Sequence, residues 1–269
     1  MTAEAFAPAK INLTLHVTGQ RSDGYHLLDS LVVFADVGDH LTFHPGPVLS
    51  IEVSGEFAQG VPTDDRNLVW RAAQAVDWTG QITLNKALPH GGGIGGGSSD
   101  AAATLRALGG ADTAVALSLG ADVPVCGRGK ATRMQGIGED LSPAVLPPLP
   151  ALLVNPGISV PTGPVFQALD RKDNPAMPAD IDVFDSVTAC AEWLSTQRND
   201  LQIPACSVAP QIPDVLDALG DTRDVLLARM SGSGSTCFAL FPTMKAAHFA
   251  AYEIGAAQPD WWVRATTLS

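Results

Sequence analysis

Between Pro89 and Asp100 the chain reads Pro-His-Gly-Gly-Gly-Ile-Gly-Gly-Gly-Ser-Ser-Asp, with glycine at six of the seven positions from Gly91 to Gly97. So much glycine cannot hold a regular element, and its purpose is close backbone approach to something. The Ala/Leu run Ala101–Leu108 after it predicts a helix, with Ser98 or Ser99 as its N-cap. A glycine loop running into a helix N-terminus offers free backbone N–H groups and a partial positive charge, which together bind phosphate without lysine or arginine. A flexible linker is the plain alternative, but linkers seldom run straight into a capped helix. The segment lacks the G-x-x-x-x-G-K-[ST] pattern of a P-loop. Gly91, Gly93 and Gly96 satisfy G-x-G-x-x-G, yet six glycines match almost any spacing, and the dinucleotide-binding reading also needs parallel βαβ units.

These residues need elements to hold them. From Lys10 to Val17, apolar Ile11, Leu13, Leu15 and Val17 alternate with Lys10, Asn12, Thr14 and His16, which predicts one half-buried strand with Lys10 and Asn12 on the face away from the core. Gly19–Gly24 is a turn cluster. An apolar run over Leu27–Val37 comes next, with further strands at 48–53 and 81–86. Thr63, Asp64 and Asp65 can cap a helix over about 66–77. The second half predicts a strand near 151–155, helices near 163–169, 183–195 and 210–219, strands near 225–230 and 236–241, a helix near 243–256 and a strand near 261–266. Strands and helices without a regular βαβ rhythm indicate an α+β fold. The Pro-rich stretch 143–150 is the natural boundary, dividing the chain into 1–147 and 148–269.

Composition narrows the function. The 269 residues carry a formal net charge of −12 and are only 16% charged but 46% hydrophobic. An acidic chain so sparse in cations is a poor partner for nucleic acid or anionic membrane. The four cysteines (126, 190, 206 and 237) form no C-x-x-C pair and have no histidine cluster beside them, so they read as reduced thiols rather than a zinc site. The N-terminal segment has neither a basic start nor an apolar run, and no 18-residue apolar stretch exists. The expectation is a soluble cytosolic protein, either monomer or homodimer.

Three segments together carry a resemblance: Pro8-Ala9-Lys10-Ile11-Asn12-Leu13, the loop Pro89 to Asp100, and Ser231-Gly232-Ser233-Gly234-Ser235-Thr236. They resemble the three motifs of the GHMP kinases, the superfamily of galactokinase, homoserine kinase, mevalonate kinase and phosphomevalonate kinase. Gly19-Gln20-Arg21-Ser22-Asp23-Gly24-Tyr25-His26 and Gly120-Ala121-Asp122-Val123-Pro124 are similar to the branch that phosphorylates the 2-hydroxyl of 4-diphosphocytidyl-2-C-methyl-D-erythritol in the non-mevalonate isoprenoid pathway. The resemblance runs from about residue 6 to 241 and implies a ribosomal-protein-S5-like N-terminal domain and a ferredoxin-like C-terminal domain, with ATP, Mg²⁺ and the acceptor meeting between them.

What it implies residue by residue stands beside a plainer reading of each position. Asp122 matches the catalytic aspartate, although an Asp in Gly-Ala-Asp-Val-Pro is more often a turn or cap residue. Lys10 matches the lysine that keeps that aspartate ionised, or is an ordinary strand-face lysine. Asn12 shares its face, for an acceptor hydrogen bond or a neighbouring loop. Tyr25 and His26 match the cytosine pocket, with Phe166 as a second aromatic that could sandwich the base and Thr162 beside it; alone, Phe166 reads as core. Pro89, His90, Gly91, Gly92, Gly93, Ile94, Gly95, Gly96 and Gly97 form the ATP loop, and Asn67 and Lys86 match positions at adenine or ribose; alone, these two read as a helix start and a solvated strand end. Ser98 and Ser99 could reach phosphate, or Mg²⁺ through water (Ser99 as the possible metal contact), and Asp100 is open between a metal contact and solvent. Gly232, Ser233 and Gly234 would border the acceptor, or form a plain hairpin. Two departures stand out: the segment 109–121 is short, and His90 occupies a place where Met is common. Competing readings are another GHMP small-molecule kinase of homoserine or mevalonate type, a non-catalytic binding protein on the same fold, and a nicotinamide-dependent dehydrogenase. The motif Tyr25-His26 argues against the first, and the presence of Lys10, Asp122 and the loop argues against the second.

Overall fold

The computed structural model describes residues 2–269. In chain order its elements are β1 (Ala3–Asn12), β2 (His16–Gln20), β3 (His26–Pro45), β4 (Ser50–Ser54), α1 (Leu68–Ala75), β5 (Gly80–Asn85), α2 (Gly96–Ala107), α3 (Thr113–Leu119), α4 (Val123–Arg128), β6 (Thr132–Gly136), β7 (Asp140–Pro143), β8 (Leu149–Asn155), α5 (Thr162–Gln167), α6 (Val187–Ser195), α7 (Gln202–Val208), α8 (Gln211–Gly220), β9 (Leu227–Met230), β10 (Cys237–Leu240), α9 (Met244–Ala257) and β11 (Trp262–Leu268). They form two compact units, each discontinuous in sequence. The first takes the chain up to Lys10, Val37–His90 and Gly95–Gly129; the second takes Ile11–Asp36, Gly91–Ile94 and Lys130–Ser269.

In the first unit, β4 lies parallel to β5, with Ile51 opposite Ile82 and Val53 opposite Leu84. Parallel neighbours need a crossover, and α1 supplies it. The far half of β3 pairs antiparallel with the other side of β5, Phe43 opposite Ile82. Val69 and Ala73 of α1 share one face at i and i+4 and pack with Leu41, Phe43, Ile51, Ile82, Leu84 and Ala103 of α2 into one core. The cap of α1 is Asn67, not the expected Thr63, Asp64 or Asp65: its side chain accepts from the Val69 N–H, while Asp64 pairs with exposed Arg66. The short 109–121 stretch holds the helix α3, and α4 comes directly after it, where the sequence predicts no element; Asp112 caps α3 through the Val115 N–H.

In the second unit β8, β9, β10 and β11 form an antiparallel sheet in the order β11-β8-β10-β9. Taken in sequence, that is last, first, third, second, which is the ferredoxin-like arrangement anticipated for this half. Its inner face meets α7, α8 and α9 in a core that includes Leu152, Val154, Leu201, Ile212, Val215, Phe241 and Ile254. The helix α7 and the hairpin β6–β7 go unpredicted, being short.

The expected single strand 10–17 is two strands, and it is not half-buried. From Lys10 to His16 every residue is buried. After Asn12 the backbone leaves the ladder: Leu15 accepts from the Asp200 N–H and donates to the Arg198 carbonyl, a one-residue bridge that separates β1 from β2. Alternation marks two faces; it does not say that one is wet.

The stretch after α5 is irregular as far as Ser186, and side chains of the second unit hold it. Arg133 grips Asp29 through two parallel bonds of 2.8 and 2.7 Å and donates to the carbonyls of Pro178 and Ala179, while Asp29 also accepts from the Met177 N–H. Both partners are buried. Asp29→Ala leaves a buried guanidinium without its carboxylate, and should cost about 3–5 kcal/mol of unfolding free energy in urea titration. Buried His16 accepts from the Arg198 N–H at Nε2 and lies 3.1 Å from the Pro175 carbonyl at Nδ1. Burial, then the Arg198 charge, holds its pKa below 6.5. The unfolded chain therefore takes up the proton first as pH falls. Stability carried by neutral His16 should be complete above pH 6.5 and lost below it. The urea midpoint should fall more between about pH 7.5 and 5.5 in the wild type than in His16→Gln.

Candidate active site

The glycine loop becomes helix earlier than expected. Gly95 is the N-cap of α2, with a left-handed φ of 62° and no side-chain cap, and Ser99 N–H donates to the Gly95 carbonyl. Ser98 and Ser99 lie inside the helix rather than at its cap. The reason is steric. Gly95 backs onto Lys10, and a Cβ there would stand 3.1 Å from the Lys10 Cβ in a backbone conformation that only glycine adopts freely. The first turn of α2 is thus left with N–H groups that no side chain satisfies, the arrangement an anion needs.

Lys10 and Asp122 meet beside this helix end. The Lys10 Nζ donates to Asp122 Oδ2 at 2.7 Å; the lysine side chain is 5% exposed and the carboxylate 33%. Asp122 is the N-cap residue of α4 but makes no capping bond. Pro124 in the first turn has no N–H to offer, and the carboxylate turns to the ammonium instead. Asp122 thus holds a cap position without capping, and Lys10 is more than an ordinary strand-face lysine: the two side chains pair.

Lys86 and Asp100 are not where the plain readings put them. Lys86 is buried, its Nζ between Asp39 and Asp100, 2.7 Å from Asp100 Oδ2. Burial and the neighbouring Asp39 charge push Asp100 up to about 7 against the pull of Lys86. Neither is a solvated strand end or an exposed first-turn acid. Asp39 belongs to no motif in the sequence, although an acid within the buried run of β3 signals a charge that needs a partner. The Asn67 side chain is occupied as the α1 cap and as a donor to the Pro62 carbonyl. The Ser99 hydroxyl donates to the Pro8 carbonyl and is fully buried. Ser98 is half-buried. The His90 Nε2 contacts the Phe57 carbonyl, and the two rings meet edge to face.

In the second unit, Gly91, Gly92 and Gly93 are held one by one. Their carbonyls accept from Val160 N–H at 3.3 Å, Thr236 N–H at 2.9 Å and Ser231 Oγ at 3.0 Å. Ser231 Oγ in turn accepts from the Asn12 N–H. A Cβ on Gly93 would collide with the Ser231 carbonyl, so no larger residue fits. The segment Ser231–Thr236 is thus more than a hairpin turn. Asn155 also anchors it, donating to the hydroxyls of Ser235 and Thr236, and Thr162 and Ser233 share a hydrogen bond of 3.0 Å. Asn155 escapes sequence reasoning because a lone Asn ending a strand carries no pattern. The Asn12 amide donates to Ser30, while its Oδ1 is buried and unpartnered.

His26 stacks on Phe166 at 4.5 Å between centroids and 22° between planes. No base fits between those two rings, so a sandwich cannot use that gap. The His26 Nε2 is buried without a partner, and burial, then Lys172, lowers the ring's pKa and favours neutral imidazole. The Tyr25 side chain stands 59% exposed.

Comparison with known proteins places this arrangement. The GHMP kinases N terminal domain family matches residues 67–129, and the GHMP kinases C terminal family matches residues 190–259. The 4-diphosphocytidyl-2-C-methyl-D-erythritol kinase of Dinoroseobacter shibae is 59% identical, the match covering 98% of this chain and 94% of that protein. The protein of the same name from Cereibacter sphaeroides is 56% identical over 97% of both chains. A crystal structure of 4-(cytidine 5'-diphospho)-2C-methyl-D-erythritol kinase is 34% identical, covers 99% of each chain and superposes with a TM-score of 0.80. Homoserine kinase from Cytophaga hutchinsonii, at 18% identity and a TM-score of 0.64, shares the fold alone. The α+β, two-domain GHMP kinase architecture expected from the motifs is the one the chain has. With such identity over nearly its whole length, and with the lysine–aspartate pair beside a bare helix end, the chain belongs to the 4-diphosphocytidyl-2-C-methyl-D-erythritol kinase family of GHMP kinases.

Proposed function

We propose that this kinase transfers the γ-phosphoryl group of ATP to the 2-hydroxyl of 4-diphosphocytidyl-2-C-methyl-D-erythritol, giving the 2-phosphate and ADP, as a cytoplasmic step of isoprenoid precursor synthesis. The observation that carries the chemistry is the Lys10–Asp122 pair against Gly95. In the step, the acceptor oxygen forms a bond to the γ-phosphorus. The bond to the bridging oxygen breaks, its electron pair leaves with ADP, and the hydroxyl proton passes to Asp122. Lys10 donates to that carboxylate and faces the oxygen as charge builds on it. The bare N–H groups of α2 receive phosphate oxygens, so an acidic chain needs no cation in the loop.

Pro89 to Ser98 form the ATP-binding segment in this reading. Ser99, Lys86 and Asn67 shape it from behind, since their side chains are already bonded within the protein. Mg²⁺ enters with the nucleotide. The described residues contain no group of three His, Cys, Asp or Glu that could hold a metal on its own, and half-buried Ser98, rather than Ser99 with its hydroxyl bonded to Pro8, is the hydroxyl left for a water-mediated contact. On the acceptor side, the unpartnered His26 Nε2 offers an edge to a pyrimidine, exposed Tyr25 supplies a free ring, and Asn12 Oδ1, Thr162, Ser233 and the Gly232 and Gly234 backbone contact the rest. The two family matches fall on either side of the 147/148 division read along the sequence, whereas the compact units are discontinuous, with Ile11–Asp36, Gly91–Ile94 and the chain from Lys130 in the second.

The test is Mg²⁺-dependent ADP release with the diphosphocytidyl compound, mevalonate, homoserine and galactose, and phosphorus NMR of the product. Turnover of the first alone, with a new phosphomonoester signal, is expected; turnover of another member alone contradicts the assignment. Asp122→Asn should lower kcat by about 10²- to 10⁴-fold with the fold intact and ATP affinity nearly kept, measured by steady-state kinetics, circular dichroism and calorimetry. Tyr25→Ala should raise KM for the cytidyl acceptor about tenfold and leave KM for ATP unchanged.

A further inference from the structure

The buried cluster Asp39–Lys86–Asp100 has no part in the chemistry above, yet it stands at both ends of the glycine loop. Lys86, Ala87 and Leu88 lead into the loop from β5. Asp39 accepts from the Ala87 N–H at 2.6 Å and the Leu88 N–H at 3.0 Å through Oδ1, and from Lys86 through Oδ2. At the other end Asp100, in α2, accepts from the same ammonium. All three residues are at most 4% exposed. The backbone of Lys86 is held too, by the Ser54 carbonyl and the Phe57 N–H.

Burying an ammonium between two carboxyl groups is costly, and well-packed apolar residues of the same volume commonly do as well for stability. The Asp100 Oδ1 is left without a partner, so the cluster is not optimised for stability alone. Its geometry serves another end. A segment with six glycines samples many conformations, and ordering it on ligand binding would subtract from affinity. Fixing Ala87 and Leu88 on one side and the first turns of α2 on the other removes most of that freedom beforehand.

We propose that Asp39 is a positioning residue for the phosphate loop, acting through Lys86 and the amides of Ala87 and Leu88, with Asp100 tying the helix end to the same ammonium. The inference rests on the reading that this loop holds the phosphates of ATP. Lys86 thereby serves the nucleotide without touching it. Asparagine at position 39 cannot replace the carboxylate, because one end of its amide is a donor and would face either two N–H groups or an ammonium. At position 100 it can, since Lys86 keeps Asp39 as its counter-ion.

Calorimetry on the full-length protein with MgATP and, separately, CDP as a probe of the acceptor side tests this. Asp39→Asn should bind MgATP about tenfold or more weakly with CDP affinity unchanged, and Asp100→Asn should keep MgATP affinity within about threefold. A folded Asp39→Asn with wild-type MgATP affinity, or with equal losses for both ligands, overturns the proposal. Wild-type protein that binds CDP but not MgATP would remove instead the reading on which it rests. Should Asp39→Asn fail to fold, amide exchange of the wild type decides. Protection of Ala87 and Leu88 without nucleotide supports the clamp, and exchange at the unfolded-chain rate until nucleotide is added overturns it.

Discussion

An ammonium and a carboxylate 2.7 Å apart, one nearly buried and the other a third open to water, are the constraint around which this site is built. Taking Lys10 out of water is unfavourable unless a counter-ion meets it. That requirement fixes several features at once. Asp122 stands at the N-cap of α4 without a capping bond and turns to the ammonium. The residue behind the lysine must be glycine, because a Cβ at position 95 would crowd it. That glycine is also the N-cap of α2, so the same contact leaves the helix end uncapped. In the proposed mechanism one ion pair thus holds the proton acceptor in place, and the helix end beside it is left bare for an anion.

The absence of cations from the loop is the second consequence. With a net charge of −12 the chain does not attract a polyanion at long range, and affinity for phosphate has to come from oriented N–H groups at contact distance. Oriented dipoles act only if held in place, and glycine alone does not hold them. The bonds on the carbonyls of Gly91, Gly92 and Gly93 restrain the middle of the loop, and the Asp39–Lys86–Asp100 cluster restrains its ends.

Much of this is legible in the sequence. The glycine loop announces itself by residue type, Lys10, Asp122, His26 and Phe166 stand out only through the family resemblance, and the ferredoxin-like order of the second half is what the family motifs imply. What escapes is set by partners distant in sequence. The alternation over 10–17 suggests a wet and a dry face, but Lys10, Asn12, Thr14 and His16 are all buried because other segments bring them partners. Ser98 and Ser99 look like caps, yet the contact of Gly95 with Lys10 moves the cap back into the glycines. Asp39 and Asn155 carry no local pattern at all, and their roles exist only once Lys86, Asp100, Ser235 and Thr236 stand beside them. Short helices such as α3, α4 and α7 are set by packing more than by propensity.

The proposed mechanism has Lys10 and Asp122 acting as one unit rather than as two independent contributors. A double-mutant cycle on kcat/KM tests that most directly, with Lys10→Met, Asp122→Asn and the double variant assayed with the diphosphocytidyl substrate. The double variant should be no slower than the slower single variant, within about threefold, because either change alone already dismantles the pair. Losses that multiply in the double variant would show that the two residues work separately, and would contradict the coupling on which the site is built.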